Sequence, residues 1–264
     1  MKATLIILVL VKSSFALTCF EKGKCIASGK VLVSTGSPTG TSVKTEVIDL
    51  VDESTSCDGL EDYPIPVWGA SGFLMNDSLP LICGGANDDL VPFSDCHIAG
   101  SATSDPVVKL LTARFDSAAV PINSHQLWVT GGWDGSNFLA STEIVDVLAS
   151  PPTVVPGPEL PVPMAAHCIV QLNESTVLFM GGRPNGKKTF FYDASTLTWT
   201  NGPDMNHERS VFGCGLMTMG SDILVVASGA YLSSSTTEVM SLGDPDGLKW
   251  SAGKNCSHIT AFLM

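Results

Sequence analysis

The sequence predicts an all-β fold made of similar four-stranded sheets repeated along the chain. A glycine signal recurs at intervals of 47 to 50 residues, as the doublets Gly84-Gly85, Gly131-Gly132 and Gly181-Gly182 and as the weaker copies Thr35-Gly36 and Ser228-Gly229. A second recurring segment follows each signal in the same register and begins at Thr45, Ser94, Thr142, Thr189 and Thr237. Short apolar runs alternate with many of the 25 glycines and 16 prolines, a pattern typical of strands and turns. Two markers with one period indicate a repeat architecture.

The fourth repeat shows the strands most clearly. We predict its first strand at 165–172, a turn at 173–175, a second strand at 176–180, a third at 189–193 and a fourth at 197–200. The glycine doublet follows the second strand, where a missing Cβ permits positive φ and close backbone approach. Four short strands in each period are the signature of a β-propeller blade.

Side-chain size supports the same architecture. The predicted first strands contain unusually small residues, at 69–72, 117–119, 165–166 and 213–215. Innermost strands of a propeller converge on a central axis, where large side chains would collide. Trp199 and Trp250 stand on predicted fourth strands, and we expect their rings to pack between adjacent blades.

This pattern resembles the Kelch repeat, in which an apolar strand and Gly-Gly are followed by an aromatic residue and then by a tryptophan. Gly181, Gly182, Tyr192 and Trp199 match the full pattern. The second and third repeats keep the glycines without the aromatic pair, and the fifth keeps Trp250 and Gly229. The resemblance implies an all-β, Kelch-type propeller of about five four-stranded blades, or a fragment of a six- or seven-bladed ring. It implies little about function, because such propellers bind many unrelated partners.

The chain is predicted to carry a signal peptide over 1–16, since Lys2 precedes an apolar run and Ala16 suits signal peptidase. Residues 17–264 then form the propeller domain, with units near 29–57, 67–109, 115–156, 164–201 and 210–251 and an extra strand at 257–264. The apolar run is too short to span a membrane, so we expect a secreted, extracellular protein without membrane insertion.

Two closures of the first unit stay open. The extra strand at 257–264 would complete the unit by pairing beside 30–34 and sealing a five-bladed ring. Alternatively, 18–28 supplies that strand, and the chain is part of a larger propeller.

Eight cysteines fit an oxidising compartment. Cys83 and Cys96 are predicted to pair across adjacent strands, whereas Cys168 and Cys214 are interpreted as buried thiols. The remaining disulfide candidates fall on the first unit and are Cys19, Cys25, Cys57 and Cys256. Three sequons also fit secretion, with predicted glycans on Asn76, Asn173 and Asn255.

Charge and motif content exclude several functions. The net charge of −12 disfavours nucleic acid, and the five scattered histidines and lack of Cys-x-x-Cys give no metal or cofactor motif. The sequence lacks sialidase boxes, and its three tyrosines do not provide the copper site of a galactose-oxidase-like enzyme. We therefore predict no catalytic residues, metal or cofactor.

The leading prediction is a secreted, non-catalytic propeller that binds an extracellular protein or peptide. Loops near 37–44, 86–93, 133–141, 183–188 and 230–236, with entries near 62–67 and 203–210, would form the contact surface. Arg114, Arg183 and Arg209 are candidate binding residues, because gathered guanidinium groups bind carboxylates bidentately. The alternative for Arg114 and Arg209 is a structural role bonding loop carbonyls. Alternative functions are a galactose-oxidase-like or carbohydrate-active enzyme and a self-associating matrix protein.

Overall fold

The computed structural model of the chain describes residues 61–75, 79–101, 103–219, 221–229 and 236–253, and the backbone of four strands between 15 and 56. The strands form antiparallel four-stranded sheets in which hydrogen-bonded neighbours follow one another along the chain. No described residue belongs to a helix, so the described part of the chain contains no helix that could cross a membrane.

The sheets are numbered here in chain order. The first contains β1 (Phe15–Leu17), β2 (Lys30–Ser34), β3 (Thr45–Asp49) and β4 (Ser54–Ser56). The second contains β5 (Ser71–Met75), β6 (Leu79–Cys83), β7 (Asp95–Ile98) and β8 (Val108–Lys109). The third contains β9 (Ala118–Pro121), β10 (Gln126–Thr130), β11 (Thr142–Asp146) and β12 (Thr153–Pro156). The fourth contains β13 (Cys168–Gln171), β14 (Thr176–Met180), β15 (Thr189–Asp193) and β16 (Thr198–Asn201). The fifth contains β17 (Gly213–Met219), β18 (Asp222–Ser228), β19 (Thr237–Ser241) and β20 (Trp250–Ala252).

The all-β prediction is confirmed, with propeller-type blades, and the residues whose side chains are described form four of them, against the predicted count of about five. The second to fifth sheets are blades whose side chains are described, whereas the first sheet is described by backbone pairing alone and is not counted. The chain divides into two compact units, with the first three sheets in one and the last two in the other. Within each unit, first strands of successive sheets contact each other, as β5 does β9 and β13 does β17.

Strand prediction succeeded best in the fourth sheet. The second and third strands occupy the predicted positions, and the turn at 173–175 joins β13 to β14. The first strand begins later than predicted, because Ala166 has a φ of 53°, outside the extended region. Tyr192 and Trp199 are direct cross-strand partners, with ring centroids 4.8 Å apart.

The tryptophans occupy different environments. Trp199 also packs on Phe179 of its own sheet, with centroids 4.9 Å apart. Trp250 lies in the apolar core shared by the fourth and fifth sheets, and its Nε1 donates to the carbonyl of Pro203 at 3.0 Å. Trp250 therefore packs between adjacent sheets as expected.

Glycine doublets join the second and fourth sheets to the entry segments of the third and fifth sheets. The amide of Gly85 donates to the carbonyl of Arg114 at 2.9 Å, and the amide of Gly182 donates to that of Arg209 at 2.8 Å. A Cβ on Gly84 would lie 2.4 Å from the carbonyl oxygen of Arg114, and Gly84 has a φ of 71°. Glycine is needed because the following repeat's backbone fills the space of a side chain.

The first sheet differs from both predicted closures. β1 pairs with β2, with Phe15 opposite Ser34. A segment that neither closure named thus pairs with 30–34, whereas 257–264 and 18–28 both lie outside the described residues. Phe15 and Ala16 also belong to the predicted signal peptide, which stays a prediction.

Two disulfides fasten the described sheets. Cys83–Cys96 joins adjacent strands of the second sheet, as predicted. The interpretation of Cys168 and Cys214 as thiols is wrong, because they form a disulfide between the first strands of the fourth and fifth sheets. These contacting strands bring the two Cα atoms to 6.2 Å, within bonding range. Cys19, Cys25, Cys57 and Cys256 lie outside the described residues.

Removing the inter-sheet disulfide tests its contribution to stability. We expect the double substitution Cys168→Ala and Cys214→Ala to lower the free energy of unfolding by about 2–4 kcal/mol, since the bridge closes a long loop. Urea unfolding measures the loss, and non-reducing peptide mapping of the unsubstituted protein should recover the Cys168–Cys214 peptide pair. Recovery of both residues as free thiols would contradict the assignment.

Candidate functional site

The described loops that follow the glycine doublets, together with the segments entering each sheet, are the candidate binding segments, and each compact unit has its own set. The loops are 86–93, 133–141 and 183–188, whereas 37–44 and 230–235 lie outside the described residues. Bonds from the doublets to the entry segments hold these loops in place. Within each unit, backbone hydrogen bonds therefore tie the candidate segments to their neighbours.

Arg114 is an internal structural residue of the third sheet. Its side chain is completely buried, and it forms an ion pair with Glu143 at 2.5 Å. Its other hydrogen bonds go to the carbonyls of Thr112, Gly131 and Ser141 and to the hydroxyl of Ser141. Burial lowers the pKa of the guanidinium, and the charge of Glu143 opposes that shift. All five N–H donors of an arginine can thus be satisfied inside this sheet.

Arg209 repeats this arrangement in the fifth sheet. It pairs with Glu238 at 2.9 Å and also donates to the carbonyls of Gly229 and Thr236 and to the hydroxyl of Thr236. Burial alone would raise the pKa of Glu238, but hydrogen bonds from the amide of Asn206, from Arg209 and from another amide outweigh it. The pKa of Glu238 is therefore lowered, and the buried pair remains ionised.

The fourth sheet replaces this ion pair with apolar side chains. The amide of Gly132 donates to the carbonyl of Met164, just as Gly182 does to Arg209. Phe190 directly follows Thr189, as Glu238 directly follows Thr237 at the equivalent third-strand position. Met164 and Phe190 are both buried. The equivalent repeat positions are thus occupied either by an internal ion pair or by two buried apolar residues.

These geometries correct the proposed group of three arginines. Arg114 and Arg209 are inside their sheets, so they match the structural alternative and offer no surface for a ligand carboxylate. Arg183 is exposed in the loop that follows Gly182. The sequence signal for the partners of these arginines is the Thr-Glu dipeptide at Thr142 and Thr237, although the first repeat carries the same dipeptide at Thr45 without an arginine.

Loops of the second and third sheets form a partly exposed apolar surface, called here the apolar loop surface. It is defined by Trp68, Leu90, Val91, Trp133 and Phe138. Leu90 and Val91 are 55% and 51% exposed, and the three aromatic side chains are half-buried. The Trp133 and Phe138 rings pack edge to face at 4.7 Å.

Adjacent loops hold this surface together. The Trp68 ring packs on Phe115 at 4.9 Å, and Phe115 forms a backbone bridge with Trp133. A Cβ on Gly135 would lie 3.5 Å from Cδ of Pro92, which places the two loops side by side. The exposed side chains therefore belong to one site.

Internal hydrogen bonds fix the shape of both loops. The Asn87 side-chain oxygen accepts from the amides of Asp89 and Val91, and the Asn87 carbonyl accepts from Trp68 Nε1 at 3.1 Å. Asp134 Oδ1 likewise accepts from the amides of Ser136 and Asn137. These bonds, led by the one from Asn137, lower the pKa of Asp134 and keep its carboxylate charged.

The loop charges differ between the two units. Segments 61–68, 86–93 and 133–141 contain no lysine or arginine, and their carboxylates are Glu61, Asp62, Asp88, Asp89 and Asp134. Loop 183–188 instead contains Arg183, Lys187 and Lys188, and Lys188 pairs with Asp204 at 2.8 Å. The apolar loop surface is thus accompanied by negative charge alone among its own segments.

Two buried histidines do not form a metal centre. His97 packs edge to face on Tyr63, and His167 stacks on Phe179. Burial lowers the pKa of His167 to about 3 and also lowers that of His97, where the charge of Asp95 opposes the effect. Among the described residues, no group of three or more His, Cys, Asp or Glu is placed to hold a metal ion.

The only predicted glycosylation site within the described residues is Asn173. It is exposed in the β13–β14 turn, where its side-chain oxygen accepts from the amides of Ser175 and Thr176. Asn76 and Asn255 lie outside the described residues.

The fold and loop geometry define an all-β protein with propeller-type blades. No protein-family model matches the chain, and no curated protein matches it either.

Proposed function

We propose that the chain is a secreted, glycosylated Kelch-type module that binds an extracellular protein or peptide and has no catalytic activity. The exposed pair Leu90 and Val91, on a loop fixed by Asn87, is the observation that carries this proposal. Exposed apolar groups on a preorganised loop lose little conformational entropy on binding. Recognition by loops on rigid sheets is common among repeat folds.

The use of the polar groups supports a binding role. Buried Arg114 and Arg209 bond to their own sheets, so their charges contribute to the scaffold. The Kelch assignment is supported by Gly181, Gly182 and the Tyr192–Trp199 cross-strand pair. Secretion is supported by the two disulfides and by the predicted signal peptide.

Peptide selection tests this function directly. We expect the immobilised protein, expressed through a secretory pathway, to enrich binders from a displayed random-peptide library, and the soluble protein to displace them. Failure to enrich displaceable peptides would overturn the proposal. Turnover in an oxidase or glycosidase screen, or a stoichiometric copper ion, would favour the enzyme alternative instead.

Secretion and glycosylation have a separate readout. Because Asn173 is exposed in a tight turn, we expect peptide N-glycosidase to reduce the intact mass of the secreted protein. The substitution Asn173→Gln should remove one glycan, and Asn137→Gln, in an exposed loop without a sequon, serves as the control. An unchanged mass after the enzyme would contradict glycosylation.

A further inference from the structure

We infer that the apolar loop surface binds a basic peptide segment in which lysine or arginine stands beside an aliphatic residue. This inference rests on the proposed binding function and names the chemistry of its partner. It reverses the expectation of an acidic ligand, since Arg114 and Arg209 are buried in ion pairs. The site is the combination of Trp68, Leu90, Val91, Trp133 and Phe138.

The apolar half of the ligand follows from the exposed side chains. Leu90 and Val91 are more than half exposed on one loop, and Pro92 of that loop approaches Gly135 of the next. An aliphatic side chain seated here would remove apolar area from water on both partners. Hydrogen bonds to Asn87 and Asp134 preorganise the loops, so little ordering is needed.

The basic half of the ligand follows from charge complementarity. Three segments contribute the surface, and together they carry five carboxylates and no cationic side chain. Asp89 is exposed, and hydrogen bonds keep Asp134 ionised. Trp68 and Trp133 are half-buried, and tryptophan is the side chain whose ring face attracts lysine and arginine most strongly. An acidic peptide would meet repulsion at each carboxylate.

Binding of matched synthetic peptides tests the inference. The probes are short, N-acetylated fluorescent peptides in which lysine stands directly beside leucine and glycine fills the other positions. Their counterparts replace lysine by glutamate or leucine by serine. We expect the lysine–leucine peptide to bind most tightly and to weaken with added salt, because exposed charges are screened. The dissociation constant of the glutamate–leucine peptide should be at least ~10-fold higher.

Substitutions locate the binding surface. The double variant Asp89→Asn with Asp134→Asn removes two charges but retains the side-chain acceptors. It should raise the dissociation constant of the lysine–leucine peptide roughly 3- to 10-fold. The double variant Leu90→Ser with Val91→Ser should raise the same dissociation constant by about 10-fold or more. Leu148→Ser and Asp222→Asn substitute exposed residues outside this surface and serve as matched controls. Each should alter the dissociation constant less than ~2-fold. Urea unfolding of every variant verifies that it folds.

The outcomes separate this inference from the function on which it rests. Equal or tighter binding of the glutamate–leucine peptide overturns the basic ligand, while selection of other peptides leaves the binding function standing. Unchanged affinity in both surface variants overturns the location. Self-association that Leu90→Ser with Val91→Ser abolishes would make a second copy the occupant and also overturns the inference. If neither library nor probes yield binders, both proposals fail.

Discussion

Replacing Arg209 by methionine is expected to lower the free energy of unfolding by about 3–5 kcal/mol, because it leaves a buried carboxylate without its cation. Glu238 is 1% exposed, so water cannot replace the guanidinium without disrupting the sheet. The carbonyls of Gly229 and Thr236 also lose their donor. Urea unfolding measures the effect.

The fourth sheet supplies the compensating change. Arg209→Met with Glu238→Phe introduces the residue types that stand at the equivalent repeat positions as the buried Met164 and Phe190, and we expect it to recover at least half of the loss. Recovery stays incomplete, because the amides of Asn206 and His207 lose their acceptor. Lys188→Met, which breaks an exposed pair, should have almost no effect. A double variant less stable than Arg209→Met alone would contradict the equivalence of these positions.

Acidification is expected to destabilise the protein well before its carboxylates titrate, because His167 is buried in neutral form. Its pKa falls from the ordinary 6.5 to about 3, so between these values the unfolded chain binds a proton that the folded chain does not. Stability is unaffected above pH 6.5 and decreases as the pH falls. The loss from this residue should reach about 2 kcal/mol by pH 5.

Urea unfolding between pH 7 and pH 5 isolates the histidine effect. We expect His167→Gln to flatten the decline, with a residual slope from His97, whose pKa is also lowered. His125→Gln changes a histidine whose side chain is 43% exposed and provides the control. If His167→Gln and the unsubstituted protein lose stability in parallel, the buried neutral histidine is not the cause.

The repeat pattern predicted the local structure well, because strands and turns depend on neighbouring residues. Strands β14 and β15 occupy the expected positions, and Gly181 and Gly182 have positive φ as expected. The approach of Arg209 to this doublet was less evident, since it joins parts of the chain that are distant in sequence.

The candidate site was only partly predictable. Its loops were expected from their position after the glycine signals, and Leu90 and Val91 stand in one of them. The arginines were misassigned as binding candidates because sequence alone does not show burial. The Thr142-Glu143 and Thr237-Glu238 dipeptides identify their partners only when the sheets are known.

The sequence by itself determined the all-β class, the repeat period and the places where the chain turns, since periodic apolar residues and glycines act locally. Tertiary structure decided that Arg114 belongs to the core and that Cys168 meets Cys214. The burial of Arg114 depends on how the third sheet folds around its own entry segment, and the disulfide depends on the packing of two successive sheets. Tertiary structure also decided the charge that the loops present to a ligand, because the two entry arginines are buried whereas the segments of the apolar loop surface contain carboxylates and no lysine or arginine.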